Sequence, residues 1–569
     1  MATTMKNESE KWTPIGNVVG TASNVEFTFV MKSYHGRVGD IVAVRMLVPS
    51  EQLGREVTAV VWGRVVAISR YNPFFPVEAA QELANEGIRP LDTVLSISRD
   101  QLEARCVVLG FTLDGDPDFR FQPLTYPIEP AGEVLRPPKD ALEGLLTGPR
   151  AEHTDDIPIG HLISRPDVEV KLETIPLLAR HMAVLAMTGG GKTVAARTII
   201  HHLATIGYPV LILDPHGDYL GFYHKKDRLP DGTVVRVFYP HLSLSSDNAW
   251  IVTLLLEKMT TGQTEPQRHA LEKLMKDNPV SGQTLSEYFA TLRKKAFESM
   301  EDEDGGGKGK GATLGVVIRQ VNIVEHKLQE MERMNQTIRQ RIPGTSFEQL
   351  PDTTREPWEI IAPKHVSILY LGGYDHLTQS TIVSIVMENL FGHRARLDGT
   401  IPPFFTVVEE AHNFIPGGTE TTAGTPSLET LQKVITEGRK FGTGLLLVSQ
   451  RPSRIDATLL SQCNTFLVLR LVNPNDQGFV RRVMENLTDE DARVLPAFGP
   501  GQGIVSGQAV RFPVLVNIRM IADFQSPRLG TEDFISEVDG WRKPSAAHKL
   551  GESDRRIQQR AARRKRKDQ

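Results

Sequence analysis

A loop of three glycines and a lysine, set between a buried strand and a helix, constrains this chain more than any other feature. In MAVLAMTGGGKTVAARTII (182–200), an apolar strand leads into Gly189, Gly190 and Gly191, and a helical pattern follows from Lys192. Glycines allow the backbone to turn its N–H groups inward, and a helix N-terminus favours an anion. Together these features predict a phosphate-binding loop in a mostly parallel α/β sheet.

The residues after the glycines have the chemistry that a nucleoside triphosphate requires. Lys192 can reach the β- and γ-phosphates of ATP, the Thr193 hydroxyl can ligate Mg²⁺, and Val194 completes the predicted ATP-binding set. Ala186 stands where the pattern has glycine, but it lies before the residues that approach phosphate most closely. A methyl group is tolerable there, so we predict that this P-loop binds ATP. A glycine-rich turn with a chance lysine fits the flanking strand and helix less well.

The chain divides into a β-rich first part and an α/β remainder. Residues 12–138 contain short apolar runs separated by turn residues, namely NVEFTFVM, DIVAVRMLV, TAVVWGRVVAIS and EARCVVLGFTL. They predict a small barrel. Afterwards apolar runs alternate with helical patterns: MAVLAM, PVLILDP, VSILYL, FFTVVEE, TGLLLVS and TFLVLRL. This alternation predicts a mixed α/β core.

A helical pattern interrupts the core strands. LLLEKM, QRHALEKLMKD, LSEYFATLRKKAF and VIRQVNIVEHKLQEMERM predict a helical insertion, and the low-complexity run EDEDGGGKGKG (301–311) predicts a mobile loop within it. We therefore expect five units: an N-terminal β domain with its linker at 1–140, the first part of the core at 141–253, the insertion at 254–350, the second part of the core at 351–525, and a C-terminal extension with a basic tail at 526–569.

Two adjacent carboxylates end one of the core strands. In PFFTVVEEAHNFIP, Glu409 is predicted to hold Mg²⁺ and Glu410 to polarise an attacking water. A solvated acidic turn would give the same local pattern. We favour a catalytic role because we expect the P-loop to lie on a neighbouring strand of the same sheet.

Three further polar residues are candidates for the reaction. Gln450 follows the strand GLLLVS and is predicted to sense the γ-phosphate, although a residue that only caps the loop fits its position equally well. Arg439 ends a helix in VITEGRKFGTG and is predicted to serve as an arginine finger for a neighbouring subunit; cations at helix ends are also common without such a role. Arg180 lies twelve residues before Lys192 and is predicted to contact nucleotide rather than form only a surface salt bridge.

Metal and thiol chemistry are less favoured. Asp214, His216 and Asp218 in LILDPHGDY lack further ligands nearby in sequence, so we interpret them as a structural loop beside the nucleotide rather than a transition-metal site. Cys106 and Cys463 are far apart and are expected to be buried structural thiols in a reducing compartment.

Charge and hydropathy limit the functional classes. The formal net charge is −4, so a nucleic-acid surface must be local rather than general. Eight basic residues fall between Arg555 and Lys567, where a solubilising tail and a nucleic-acid contact are both consistent with the pattern. The polar start and the short apolar runs lead us to expect a cytoplasmic protein without membrane spans.

Several ordered blocks resemble the HerA family of hexameric DNA translocases, in the HerA/FtsK branch of P-loop ATPases. The blocks are RPDVEVKLE, LLARHMAVLAMTGGGKT, LDPHGDY, VVEEAHNFIP, EGRKFGTGLLLVSQRPS and NTFLVLRLVNPNDQ, and IGNVVGTASNVEFTFV resembles the HAS-barrel of that family. The resemblance implies a RecA-like P-loop ATPase core. It also implies Walker A roles for Lys192 and Thr193, Walker B roles for Glu409 and Glu410, and the sensor and arginine roles given above for Gln450, Arg439 and Arg180. Ala186 and Gly190 replace the commoner Gly and Ser.

The resemblance also implies partners. It points to a homo-hexamer that moves double-stranded DNA with ATP and Mg²⁺, beside an effector such as a NurA-like nuclease, a sirtuin-like NADase or another nuclease. DNA repair and phage defence both remain open. The alternative is an ATP-regulated ring scaffold that assembles and activates an effector enzyme. A conjugative coupling ATPase is weakened by the lack of apolar membrane segments in the sequence.

Overall fold

The structure is a computed structural model. It describes residues 11–31, 36–50, 55–71, 81, 85, 101–116, 119–148, 155–245, 248–260, 263–302, 308–341, 344–396, 399–418, 424–484, 487–521 and 524. The basic tail that the sequence singles out lies outside the described residues.

An antiparallel barrel forms the first part of the chain. Its strands are β1 (Thr13–Val19), β2 (Glu26–Met31), β3 (Ile41–Ser50), β4 (Arg55–Tyr71), β5 (Gln101–Leu113) and β6 (Glu133–Arg136). They close in the order β1-β2-β5-β4-β3-β6. Alternate residues such as Phe27, Phe29 and Val44 point inward and are almost fully buried. The predicted small β-barrel is confirmed.

A twelve-stranded sheet forms the core. Its strands are β7 (Ile157–Leu162), β8 (Glu169–Leu172), β9 (His181–Leu185), β10 (Val210–Asp214), β11 (Val234–Tyr239), β12 (Phe347–Gln349), β13 (His365–Tyr370), β14 (Phe404–Glu409), β15 (Thr443–Ser449), β16 (Cys463–Leu469), β17 (Gln502–Gly507) and β18 (Val514–Ile518). They lie in the order β12-β11-β13-β10-β14-β15-β9-β16-β17-β18-β7-β8. Pairing is parallel from β12 to β16 and antiparallel from β16 to β8. The predicted α/β fold class is confirmed.

Helices connect and cover these strands. They are α1 (Lys139–Thr147), α2 (Thr174–Leu178), α3 (Lys192–Thr205), α4 (Gly221–His224), α5 (Trp250–Met259), α6 (Glu265–Asp277), α7 (Leu285–Asp302), α8 (Lys308–Arg341), α9 (His376–Ala395), α10 (Ser427–Phe441), α11 (Ala457–Leu460), α12 (Pro474–Val483) and α13 (Asp489–Val494). Four of the eight parallel core strands, β9, β10, β14 and β15, are wholly buried, as expected for strands covered on both faces.

The insertion consists of α5 to α8. The longest helix, α8, buries one stripe at heptad-like spacing, formed by Val317, Val321, Val324 and Leu328. Each such side chain contributes roughly 1.5–3 kcal/mol through removal from water. The segment 301–311 is helical rather than loop at its two ends, because α7 continues to Asp302 and α8 begins at Lys308, while residues 303–307 lie outside the described residues. The buried stripe of α8 stabilises the helix from Lys308 onward, despite the glycines at its start.

The order of the strands brings the candidate residues to one edge. The P-loop follows β9, the acidic pair ends β14, and Gln450 follows β15. Because parallel strands point the same way, these carboxyl ends meet at the same edge of the sheet. The expectation that the P-loop strand and the acidic strand are neighbours is wrong by one strand, because the chain leaving β14 returns through α10 and places β15 between them.

An ion pair joins the barrel to the core. Arg64 on β4 donates two hydrogen bonds to Asp491 in the first turn of α13, at 2.6 and 2.8 Å. Both side chains are almost inaccessible, with 3% and 4% exposure. Two parallel N–H···O bonds fix the orientation of both groups, so this pair contributes to how the barrel sits on the core.

Candidate active site

The P-loop wraps the N-terminus of α3. Gly189 and Gly191 have φ angles of 77° and 100°, in the left-handed region that glycine adopts at little cost. A side chain at Gly191 would also come within 3.0 Å of the Gly501 nitrogen, which itself donates to the Gly190 carbonyl at 3.0 Å. The hydrogen bond from Gly501 thus attaches the P-loop to the segment that precedes β17. The first turn of α3 leaves N–H groups without intrahelical partners, which suits phosphate oxygens.

Lys192 lies between the carboxylates of Glu409 and Glu410, as the predicted site requires. Its Nζ donates to Glu409 Oε1 at 2.5 Å and to Glu410 Oε1 at 3.0 Å. Burial lowers the pKa of Lys192, but the two carboxylates outweigh this effect and raise it above its ordinary value. Burial raises the pKa of Glu409, although Lys192 and the Tyr219 hydroxyl oppose the shift. The structure therefore brings three of the predicted residues into direct contact.

Glu409 is fixed on both oxygens. It ends β14 fully buried, and its Oε2 accepts a hydrogen bond from the hydroxyl of Tyr219, itself wholly buried. Glu410 differs because its backbone is left-handed, with φ 51° and ψ 48°. A left-handed non-glycine residue costs on the order of 1–3 kcal/mol, and such residues cluster at functional sites. This turn aims the Glu410 carboxylate at Lys192.

Gln450 contacts the P-loop directly. Its Oε1 accepts a hydrogen bond from the Thr188 hydroxyl at 2.6 Å. One residue earlier, the Ser449 carbonyl accepts from the nitrogen of Ala186 at 3.2 Å. The end of β15 is therefore attached to the P-loop at two points.

The loop after β10 is organised by one carboxylate. Asp214 Oδ1 accepts from the nitrogens of His216, Gly217 and Asp218, at 2.7 to 3.1 Å, and its Oδ2 accepts from the Tyr219 nitrogen at 3.0 Å. Asp214 is completely buried, so these four donors replace the water that it gives up. The consequence is that Tyr219 is placed over Glu409, because β10 and β14 are neighbours.

Arg180 and Arg439 lie at the opposite edge of the sheet. Arg180 immediately precedes β9, and Arg439 ends α10 shortly before β15, so both stand at the amino ends of these strands. Buried His181 joins the two places, since its Nε2 is 2.9 Å from the Ile435 carbonyl and its Nδ1 accepts from the Leu445 nitrogen. Seven-residue β15 separates this edge from the P-loop by roughly 20 Å. Within one chain, neither arginine is brought to the P-loop.

The residues present fit Mg²⁺ and a triphosphate. Thr193 lies half-buried in the first turn of α3, and Glu409 supplies carboxylate oxygens beside Lys192. Hydroxyl and carboxylate oxygens are the ligands that Mg²⁺ takes in nucleotide sites. Val194 is half-buried in the same turn. The open space at Gly189, where an added Cβ meets nothing within 4 Å, leaves room for the phosphates.

Sequence reasoning missed three contributors to the site. Tyr219 holds Glu409, Thr188 holds Gln450, and the ring of His412 lies beside Glu410. Thr188 and His412 sit inside the quoted motifs and were available as candidates. Tyr219 also sits inside a quoted motif, LILDPHGDY, but its role could not be predicted because it depends on β10 and β14 being adjacent.

A family model matches the middle of the chain. Residues 157–390 match the model described as Helicase HerA, central domain. This span includes the P-loop, the loop after β10 and the helical insertion.

Curated relatives extend the similarity beyond that span. A probable helicase of Methanocaldococcus jannaschii is 26% identical over 538 residues, which cover 93% of this chain and 94% of the relative. The DNA double-strand break repair helicase HerA of Pyrococcus furiosus is 28% identical over 461 residues, covering 72% of this chain and 78% of the relative.

The chain is also similar to solved structures. VirB4 of Thermoanaerobacter pseudethanolicus is 14% identical, covers 65% of this chain and 97% of its own, and has a TM-score of 0.42. No helix among the residues that the structure describes has the length and apolar character needed to cross a membrane.

Proposed function

Because this chain belongs to the HerA family of helicases, we propose that it is an ATP-driven translocase or helicase that acts on double-stranded DNA as a ring of six subunits. The family supports an ATPase. The observation that carries the proposal is the contact of Lys192 with both Glu409 and Glu410, at the carboxyl edge of the sheet and beside a glycine loop. This arrangement supplies phosphate binding and a water-activating carboxylate within one site.

The residues divide the reaction between them. The loop N–H groups and Lys192 bind the β- and γ-phosphates of ATP and stabilise charge that develops on them. Glu410 accepts the proton of the attacking water, and Gln450 responds to the γ-phosphate through its attachment to Thr188. Thr193 and Glu409 would hold Mg²⁺, which would neutralise part of the negative charge of the triphosphate.

The position of the arginines supports the proposed ring. Arg180 and Arg439 stand at the edge away from their own P-loop, so a subunit can use them only at the nucleotide of a neighbour. Closed rings form when one face of a subunit repeatedly meets a different face of the next. In this proposal the N-terminal barrel is a HAS-barrel, the ring encloses DNA, and the protein works in the cytoplasm.

An effector partner is part of the proposal, by analogy with the family. A nuclease of the NurA kind, a sirtuin-like NADase or another nuclease would convert DNA movement into DNA processing or phage defence. The second candidate is a ring scaffold whose ATPase activity regulates such an effector. The barrel, held rigidly on the core by Arg64 and Asp491, gives that scaffold a surface.

The two candidates differ in their response to DNA. Purified full-length protein is assayed for steady-state ATP hydrolysis with and without linear double-stranded DNA, and for displacement of a third strand from a DNA triplex. A translocase shows a DNA-stimulated rate and ATP-dependent displacement. A DNA-independent ATPase rate with no displacement would reject the translocase in favour of the scaffold.

A further inference from the structure

The ring of His412 lies between the water-activating carboxylate and the end of β15. Its Nδ1 is 3.3 Å from Glu410 Oε2 and 3.1 Å from the Ser449 hydroxyl oxygen. The side chain is 9% exposed, so water competes weakly for this nitrogen. A single ring N–H between two oxygens can make a well-aligned hydrogen bond to only one of them at a time.

The Glu410 carboxylate has few hydrogen-bond partners among the described residues. Its Oε1 accepts from Lys192, whereas its Oε2 is buried and has no hydrogen bond within the described residues. A buried carboxylate oxygen without a partner is unfavourable, so a donor within reach has a strong influence on its orientation. Under the proposed function Lys192 serves the phosphates of ATP. His412 is then the neighbouring side chain that can hold Glu410.

The other neighbour of His412 is attached to the P-loop. The Ser449 hydroxyl accepts from the Arg451 nitrogen at 3.1 Å, and the Ser449 carbonyl accepts from Ala186 in the P-loop strand. Gln450, the next residue, is held by Thr188. A displacement of the P-loop therefore moves Ser449 relative to the imidazole.

We infer that His412 is a positioning residue that orients the Glu410 carboxylate toward the attacking water and exchanges its hydrogen bond between Ser449 and Glu410 as the P-loop responds to nucleotide. This inference rests on the proposed ATPase function of the site. It assigns to His412 no proton transfer of its own. It predicts that losing the ring impairs turnover while leaving ATP binding intact.

The test uses the full chain with His412→Gln and His412→Ala. We expect kcat to fall on the order of 10- to 100-fold, with KM for ATP within about threefold of wild type, because a misplaced base slows the chemical step but not binding. His376→Gln is the matched control: this exposed histidine lies 2.7 Å from the Asn413 carbonyl, next to the same turn, but serves neither carboxylate. Its kcat stays at the wild-type value.

A second measurement separates positioning from folding. In a Glu410→Gln background, His412→Gln should cause no further loss of single-turnover rate, because its effect passes through Glu410. An additive loss, or a loss explained by a lowered melting temperature in both His412 variants, would overturn the inference. Wild-type kcat in His412→Gln would also overturn it, without touching the ATPase proposal. That proposal fails separately if the wild-type protein does not hydrolyse ATP.

Discussion

The Cβ of Ala186 lies 3.1 Å from the position that a Cβ at Gly190 would occupy. Real Cβ contacts of this kind are rarely so close, so a side chain at residue 190 and the methyl of Ala186 compete for the same space. The two departures of this P-loop from the commoner pattern are therefore one structural feature. The alanine fills the volume that glycine at 190 leaves free.

Gly190→Ser should weaken ATP binding, because the new Cβ would meet Ala186 and the Met187 carbonyl at 3.0 Å. Overpacking of this kind costs about 1–3 kcal/mol. The double variant Ala186→Gly with Gly190→Ser should recover much of the lost affinity, measured by titration with a fluorescent ATP analogue. Strictly additive effects of the two substitutions would show that the residues do not share this space.

Acid should destabilise the protein through His181. Burial lowers the pKa of His181 to about 4, below its ordinary value of 6.5. A depressed folded-state pKa gives stability that is present above 6.5 and is lost as the pH falls toward 4. At pH 5 the free energy of unfolding that is lost through His181 is about 2 kcal/mol.

The melting temperatures of wild type and His181→Gln are measured at pH 7.5 and at pH 5. The variant is expected to be less stable at pH 7.5, because the Leu445 nitrogen loses its acceptor. It should nevertheless lose less stability on acidification than wild type. Equal losses would mean that His181 is not held neutral.

Breaking the Arg64–Asp491 pair should loosen the barrel from the core. Arg64→Ala leaves a buried carboxylate without its partner, which typically costs 3–5 kcal/mol. Arg105→Ala is the control, since Arg105 pairs with Glu490 in the same helix turn but is 43% exposed and is expected to contribute less than about 1 kcal/mol. Hydrogen exchange of the β4 amides should show less protection in Arg64→Ala than in Arg105→Ala. Equal protection in the two variants would contradict the prediction.

Arg439 should act on the nucleotide of a neighbouring subunit. Arg439→Ala and Glu410→Gln rings are each expected to be inactive, whereas mixed rings contain junctions with an intact Glu410 facing an intact Arg439. Partial recovery of ATPase activity on mixing is the predicted result, with subunit exchange confirmed by native mass spectrometry. Absence of recovery in confirmed mixed rings would reject the action in trans.

Six parallel core strands could be predicted because strands buried on both faces are continuous apolar runs, as in FFTVVEE and TGLLLVS, whereas β11 and β12, which are only partly buried, were not predicted. The antiparallel strands β7, β8, β17 and β18 escaped prediction because they are four to six residues long and mix glycine, polar and apolar residues. Periodicity over so few positions does not separate strand from loop.

The site residues at strand ends were predicted, whereas the side chains that hold them were not. Lys192, Glu409 and Glu410 follow from strand ends that meet at one edge. The hydrogen bond from Tyr219 to Glu409 depends on strand order, which local sequence does not encode. The placement of Arg180 and Arg439 was available in principle, because a residue before a parallel strand lies at the edge opposite a residue after it.

The central claim, that Glu410 activates water for ATP hydrolysis beside Lys192, is tested most directly by the turnover of Glu410→Gln. The account predicts that this variant binds ATP with wild-type affinity but loses kcat on the order of 10²- to 10⁴-fold, since the amide cannot accept the proton. Glu437→Gln, at an exposed position of α10, keeps wild-type turnover as the control. Wild-type turnover in purified Glu410→Gln, with ATP binding intact, would contradict the account.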